Sequence, residues 1–322
     1  MFVSDNHAQT EPMPPSAMPL DEVAGAASVG SMRLSWAARS DVGKVRKVNE
    51  DRFFVAPGMF IVADGMGGHA AGDVASGLVV EAFAQHAAEV PFPVSMLDAL
   101  VDAANQSVYG EASHGAHEGM GSTLVGAVVV DNGGAEDIVV FHVGDSRCYL
   151  ADADGWHLIT HDHSHVQELV DSGEIPEESA GTHPLRNVVT RAVGIEPGVR
   201  ADFVVLEPHQ PVRLVLCSDG VSGELSAEHL EEICTAQRSV SDVAGDVLAA
   251  VLDGRAADNA TVVVVDVGLL DRPKPLDEAT GPRIRPSPPY NPGMIHEVAS
   301  IIMNQPGQET PLPSGLIDEV PL

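Results

Sequence analysis

Four short segments of the 322-residue chain gather residue types that do chemistry together: Arg46–Asp51 (RKVNED), Ala63–His69 (ADGMGGH), Ser218–Gly220 (SDG) and the pair Asp258-Asn259. Asp64 and Asp219 each close an apolar run, and Asp258 stands just ahead of another, Thr261–Val267. A strand end rooted in a core is a rigid mount, so carboxylates placed there converge at one edge of a sheet. Ionised carboxylates gathered in a partly buried place repel one another, and burial adds to that cost. A hard divalent cation with oxygen ligands removes it. An all-oxygen set favours Mg²⁺ or Mn²⁺ over Zn²⁺. His114 and His117 form an H-x-x-H, and His161, His163 and His165 alternate, but neither group has a second pair to complete a zinc shell. Gly65, Gly67 and Gly68 let the backbone turn so that a main-chain carbonyl can face a metal as well. The bland alternative is that Asp-Gly after a strand is only a turn. Three such places, with an Asn-Glu-Asp triplet behind a basic pair, weigh against coincidence.

Strands and helices must position these groups. Leu124–Val130 and Ile138–Val143 flank Asn132-Gly133-Gly134, and Arg147–Leu150 and Trp156–Ile159 flank Asp154-Gly155; both read as hairpins. Met32–Ala37, Met59–Ala63, Arg213–Cys217 and Thr261–Val267 are further strand-like runs rich in β-branched and apolar residues. Helical spacing predicts helices over Asp73–Ala88, Ser95–Glu111, Ser226–Cys234 and Ser241–Leu252. Hairpins with helices inserted between them point to an α+β fold of antiparallel sheets covered by helices.

Prolines mark the expected boundaries. Of 23, four lie in residues 1–30 and eleven in residues 269–322. Residues 1–30 and 271–322 are expected to be disordered, since neither can bury enough apolar surface to offset chain entropy. The folded domain is expected over 31–270.

Composition excludes several function classes. With 17 basic and 47 acidic residues the net charge is −30, which repels nucleic-acid phosphates and anionic lipid. No apolar run approaches the roughly 18 residues of a membrane helix, and no secretory signal is evident. Three scattered cysteines suit a reducing compartment. A cytoplasmic monomer is expected.

The stretches SDVGKVRKVNEDRF (40–53), VADGMGGHAAGDVAS (62–76), GMGSTL (119–124), HVGDSRCYL (142–150), THDHS (160–164), HPLRNVVTRAVG (183–194), LCSDGVS (216–222) and DNATVVVV (258–265) resemble, in order and spacing, the metal-dependent protein serine/threonine phosphatases of type 2C in their bacterial form. The resemblance spans about residues 31–270. It implies a four-layer αββα sandwich of two antiparallel sheets, with a flap over about 160–193. It implies hydrolysis of phosphoserine and phosphothreonine in proteins by a metal-activated water in a binuclear Mn²⁺ or Mg²⁺ centre, reversing a Ser/Thr protein kinase. By the same resemblance Asp64 bridges the metals, and the Gly65 carbonyl and Glu50 complete one shell. Asp219 and Asp258 hold the other metal, Asp51 orients water, and Arg46 clamps the substrate phosphate. Glu118 is the candidate for a third metal, although the family usually has Asp there. Asn259 is expected to support Asp258. Asp145 and Arg147 of GDSR are expected to form a structural pair. Met66 stands where many eukaryotic members carry a His proposed as general acid, so the acid is left unassigned.

Overall fold

The structure, a computed structural model, describes residues 22–67, 71–113, 117, 119–270 and the backbone of 283–286. One compact unit ends at Pro288; the unit that follows, Pro289–Leu322, lies outside the described residues. The strands are β1 (Glu22–Val29), β2 (Met32–Asp41), β3 (Asp51–Ala56), β4 (Met59–Met66), β5 (Phe92–Pro93), β6 (Gly121–Ser122), β7 (Leu124–Asp131), β8 (Glu136–Val143), β9 (Arg147–Asp152), β10 (Gly155–Leu158), β11 (Asp202–Glu207), β12 (Val212–Cys217), β13 (Ala260–Leu269) and β14 (Arg283–Pro286). The helices are α1 (Ala71–Ala84), α2 (Met96–Ala112), α3 (His165–Asp171), α4 (Asp219–Ser222), α5 (Ala227–Cys234) and α6 (Val240–Asp253).

Two sheets form the centre. One runs β1-β2-β13-β12-β9-β10, and the other runs β14-β11-β8-β7-β4-β3 with β5 and β6 attached at β7 and β4. Neighbours pair antiparallel except β5 with β7. Three apolar layers follow from strand alternation, in which successive side chains point to opposite faces. On β13, Val263, Val265 and Val267 enter the core between the sheets, while Ala260, Val262 and Val264 pack under α5 and α6. On β4, Phe60 and Val62 face the other sheet, while Met59, Ile61 and Ala63 pack under α1 and α2. Strands covered on both faces read as unbroken apolar runs, which is why β12 and β13 look so in the sequence. Three apolar interfaces separate four layers, so the expected αββα sandwich is the observed one.

Both anticipated hairpins are present, β7–β8 and β9–β10. α5 starts with Ser226 as its cap, accepting from the His229 N–H. α6 starts earlier than expected: Ser239 rather than Ser241 caps it, accepting from the Asp242 N–H. Ser95 precedes α2 without a side-chain capping bond. α1 ends at Ala84, and a short 3₁₀ turn covers Ala87–Glu89.

The boundaries drawn from proline content differ from the structure at two places. β1 lies inside the stretch expected to be disordered and pairs with β2 over eight positions, Glu22↔Arg39 to Val29↔Met32. Its sequence, EVAGAASV, has glycine at 25, where a Cβ would come within 2.5 Å of the Trp36 ring. Gly30, with φ 52°, makes the turn that was taken as the domain start. In the C-terminal stretch, β14 adds to the edge of β11. Residues 1–21, 271–282 and 287–322 lie outside the described residues.

Candidate metal centre

The alternation that fills the inter-sheet core also builds the site. Continued to the strand ends, the inward positions of β2, β3, β4, β7, β9, β12 and β13 become Ser40, Asp51, Asp64, Thr123, Ser146, Ser218 and Thr261. Ser40, Asp51, Thr123, Ser146, Ser218 and Thr261 are buried. The sandwich therefore ends in a polar layer, and buried polar groups must find partners. Ser218 Oγ donates to Asp51 Oδ2 at 2.7 Å and accepts from Thr261 N at 3.0 Å. Ser40 and Thr261 hydroxyls meet at 2.8 Å. On the other side, Asp64 N donates to Thr123 Oγ1 at 3.0 Å, and that hydroxyl meets Ser146 Oγ at 2.7 Å. Asp51 and Asp64 are direct cross-strand partners of β3 and β4. None of these hydroxyl residues was singled out from the sequence. Their signal was a polar residue at the next inward position beyond an apolar alternation.

Close backbone approaches fix the remaining parts. Gly65 N donates to Glu50 O at 3.1 Å, and a Cβ on Gly65 would lie 1.9 Å from Gly72 O. A Cβ on Gly72 would in turn lie 2.6 Å from Gly65 O and 2.8 Å from Glu50 Oε1, so these two oxygens converge over Gly72. Asn259 supports the arrangement more widely than a neighbour of Asp258 need do. Its Oδ1 accepts from Glu50 N at 2.8 Å, and its Nδ2 donates to Val42 O and Val48 O, each at 3.0 Å.

The carboxylates show the strain of their own company. Burial first, then the charges of Asp51 and Asp219, pushes Asp64 well above the usual carboxylate range. Asp219 is raised by burial and by Asp258. Asp51 is pushed up to about 7, mostly by burial, against the lowering effect of the Ser218 hydroxyl. Among the described residues Asp51 Oδ1 is buried without a hydrogen-bond partner. Arg46 Nη2 donates to Asp258 Oδ2 at 2.7 Å, and its Nη1 lies 3.9 Å from Glu50 Oε2. Asp64, Asp219 and Asp258 do not form a trio with all ligand atoms within 4.8 Å.

One expectation changes. Arg147 does not pair with Asp145: its guanidinium is forked onto Asp162, with Nε 3.0 Å from Oδ1 and Nη2 2.7 Å from Oδ2. Asp145 instead lies buried in the field of Asp219 and is raised to about 7, chiefly by burial. It follows the apolar strand β8 much as Asp64 closes β4, and that pattern could have marked it. Glu118, the residue expected to serve a third metal, lies outside the described residues, as do His69 and His114.

The trio among the described residues that does meet within 4.8 Å is His142, His163 and Asp202. A cation is already in place there. Arg191 Nη1 lies 2.9 Å from both His163 Nε2 and Asp202 Oδ1. Burial lowers His142 to about 4, so it is neutral. The cluster ties segment 160–193 to β8 and β11, and Gly144 N donates to His163 Nδ1 just ahead of Asp145.

Buried and half-buried carboxylates thus gather at the end of an αββα sandwich, with an arginine at their rim. The family model described as protein phosphatase 2C matches residues 44–254. The chain belongs to the protein phosphatase 2C family. The serine/threonine phosphatase stp of Listeria innocua is 34% identical over 247 residues, covering 73% of this chain and 96% of that protein. The serine/threonine protein phosphatase PstP of Mycobacterium tuberculosis is 39% identical over 238 residues, covering 73% of this chain and 45% of that protein. The crystal structure of the catalytic domain of PstP in complex with two manganese ions superposes with a TM-score of 0.66 at 36% identity, covering 74% of this chain and 99% of that one. Like these relatives, the chain is read as a protein-serine/threonine phosphatase. Among the described residues no helix is long and apolar enough to cross a membrane.

Proposed function

We propose that the chain hydrolyses phosphoserine and phosphothreonine in proteins at a binuclear Mn²⁺ or Mg²⁺ centre held by Asp64, Asp219, Asp258, Glu50 and the Gly65 carbonyl, with Asp145 close by. The residues fit such ions. Asp51 Oδ1 is a buried acceptor with no partner among the described residues, the Gly65 and Glu50 oxygens converge, and the donor set is all oxygen. That orphaned oxygen, amid carboxylates raised by burial and then by one another's charge, is the observation that carries the reading. When bound, the ions supply positive charge to offset the phosphoryl oxygens and lower the pKa of a coordinated water toward roughly 7.

The chain's own residues do the rest. Arg46, half-exposed between Asp258 and Glu50, presents a planar fork that takes two phosphoryl oxygens. Asp51, held by Ser218, accepts a hydrogen bond from the attacking water through Oδ1 and so aims it at phosphorus. The bond from phosphorus to the Ser or Thr oxygen breaks as the bond to water oxygen forms, without a phosphoenzyme. The buried thiols of Cys148, Cys217 and Cys234, all pushed up by burial, are unsuited to serve as nucleophiles. The protein would oppose a Ser/Thr protein kinase, acting as a cytoplasmic monomer. Turnover of p-nitrophenyl phosphate and of phosphoserine, phosphothreonine and phosphotyrosine peptides with added Mn²⁺ tests the reading. Hydrolysis that is equal with and without the metal would end it.

A further inference from the structure

Residues 44–48, KVRKV, put three of the chain's 17 cations into five positions without a carboxylate, in a molecule of net charge −30. All five side chains are exposed, and Val45 and Val48 are 68% and 43% exposed. A charged run is ordinarily a solvated face, but this one is held in shape. Gly43, with φ 75°, makes the entry turn and donates to Asp41 Oδ1 at 2.7 Å. Lys44 N donates to Ala256 O at 2.8 Å, and the Asn259 amide closes the loop by holding Val42 O and Val48 O. Both ends are thereby pinned to the segment that carries Asp258. Within the strip, Arg46 is turned to Asp258 and Glu50, and Lys44 Nζ donates to Gly254 O at 3.0 Å. Lys47 makes no ion pair or hydrogen bond among the described residues.

We propose that this strip docks the residues flanking the phosphorylated one, with Lys47 selecting an acidic neighbour and Val45 and Val48 offering apolar contact. This deepens the phosphatase reading and rests on it. A phosphoresidue clamped by Arg46 brings its chain neighbours, about 3.8 Å apart from Cα to Cα, over the same short strip. The acidic surface elsewhere is screened beyond roughly 8 Å at physiological salt, so the local cations decide selection at contact. A loop already ordered before binding loses little entropy on docking.

The test uses the full chain with Mn²⁺ and three substrates. Two are phosphothreonine peptides identical except for Asp and Glu flanks in one and Asn and Gln in the other; the third is p-nitrophenyl phosphate, which has no flanks. The wild type should favour the acidic peptide, mainly through KM. Lys47→Ala should lower kcat/KM on that peptide by about three-fold, as suits an exposed ion pair, and leave the other two substrates unchanged. Lys47→Glu should reverse the preference, and Lys47→Arg should keep it. A wild type indifferent to the flanks, or Lys47→Glu still favouring acidic ones, overturns the docking role while leaving the phosphatase reading intact. No hydrolysis of p-nitrophenyl phosphate by the wild type sinks the phosphatase reading, and the docking role falls with it.

Discussion

Ser218 has no charge and no chemistry of its own, yet it orders the carboxylate that would aim the water. Its hydroxyl joins Asp51 to the Thr261 backbone inside a fully buried layer. Ser218→Ala leaves an N–H and a carboxyl oxygen unpaired there, so urea unfolding should show a loss of about 1–3 kcal/mol. Asp64 and Arg46 should separate cleanly by experiment. Asp64→Asn removes one charge from the proposed metal centre and should cost on the order of 10³-fold in kcat with loss of manganese binding by calorimetry. Arg46→Ala should keep manganese binding and raise KM for a phosphopeptide about ten-fold, the loss of a charge-assisted hydrogen bond. An unchanged KM would remove Arg46 from the clamp.

At the scale of elements, the site is a consequence of where strands stop. Seven strands deliver an inward-facing polar residue to the same end of the sandwich, and glycines at 65 and 72 allow β4 and α1 to touch backbone to backbone. The first strand guards the outer edge of β2, whose other side pairs with β13 and so with Thr261. A chain beginning at Ser31 loses those eight pairings and exposes both the Trp36 face and an unpaired edge. It should melt several degrees below a chain beginning at Glu22 and aggregate more readily, by calorimetry and light scattering. Equal melting temperatures would show that β1 contributes nothing to stability.

For the whole molecule, the raised carboxylates give stability a definite pH dependence. In the metal-free protein Asp51 and Asp145 sit near 7 against an unfolded value of 3.8, so between those limits the native state holds more protons than the unfolded one. The stabilisation is complete below the unfolded value and is lost as pH rises through the folded one. Neutral, buried His142 acts in the opposite sense between about 4 and 6.5. The shift in melting temperature on adding Mn²⁺ cancels that contribution, because His142 is common to both states of loading. That shift should grow as pH goes from 5 to 8, since the ions replace protons that the carboxylates no longer hold. A shift that is flat with pH would mean that manganese binds away from these groups.

Much of this molecule is written in local patterns. Apolar runs ending in Asp, turn pairs such as Asp154-Gly155, and the spacing of eight motifs sufficed for the layered fold and marked Asp64, Asp219 and Asp258 as candidates, because strand alternation and strand ends are properties of a few consecutive residues. Other features required the chain to be folded. Nothing near Arg147 in sequence says that its guanidinium turns to Asp162 and leaves Asp145 to face Asp219. Nor do the small residues of Glu22–Val29 announce a strand, and only the fold lays the Trp36 ring against Gly25. Partners brought together from distant segments are chosen by packing, and packing exists only in three dimensions.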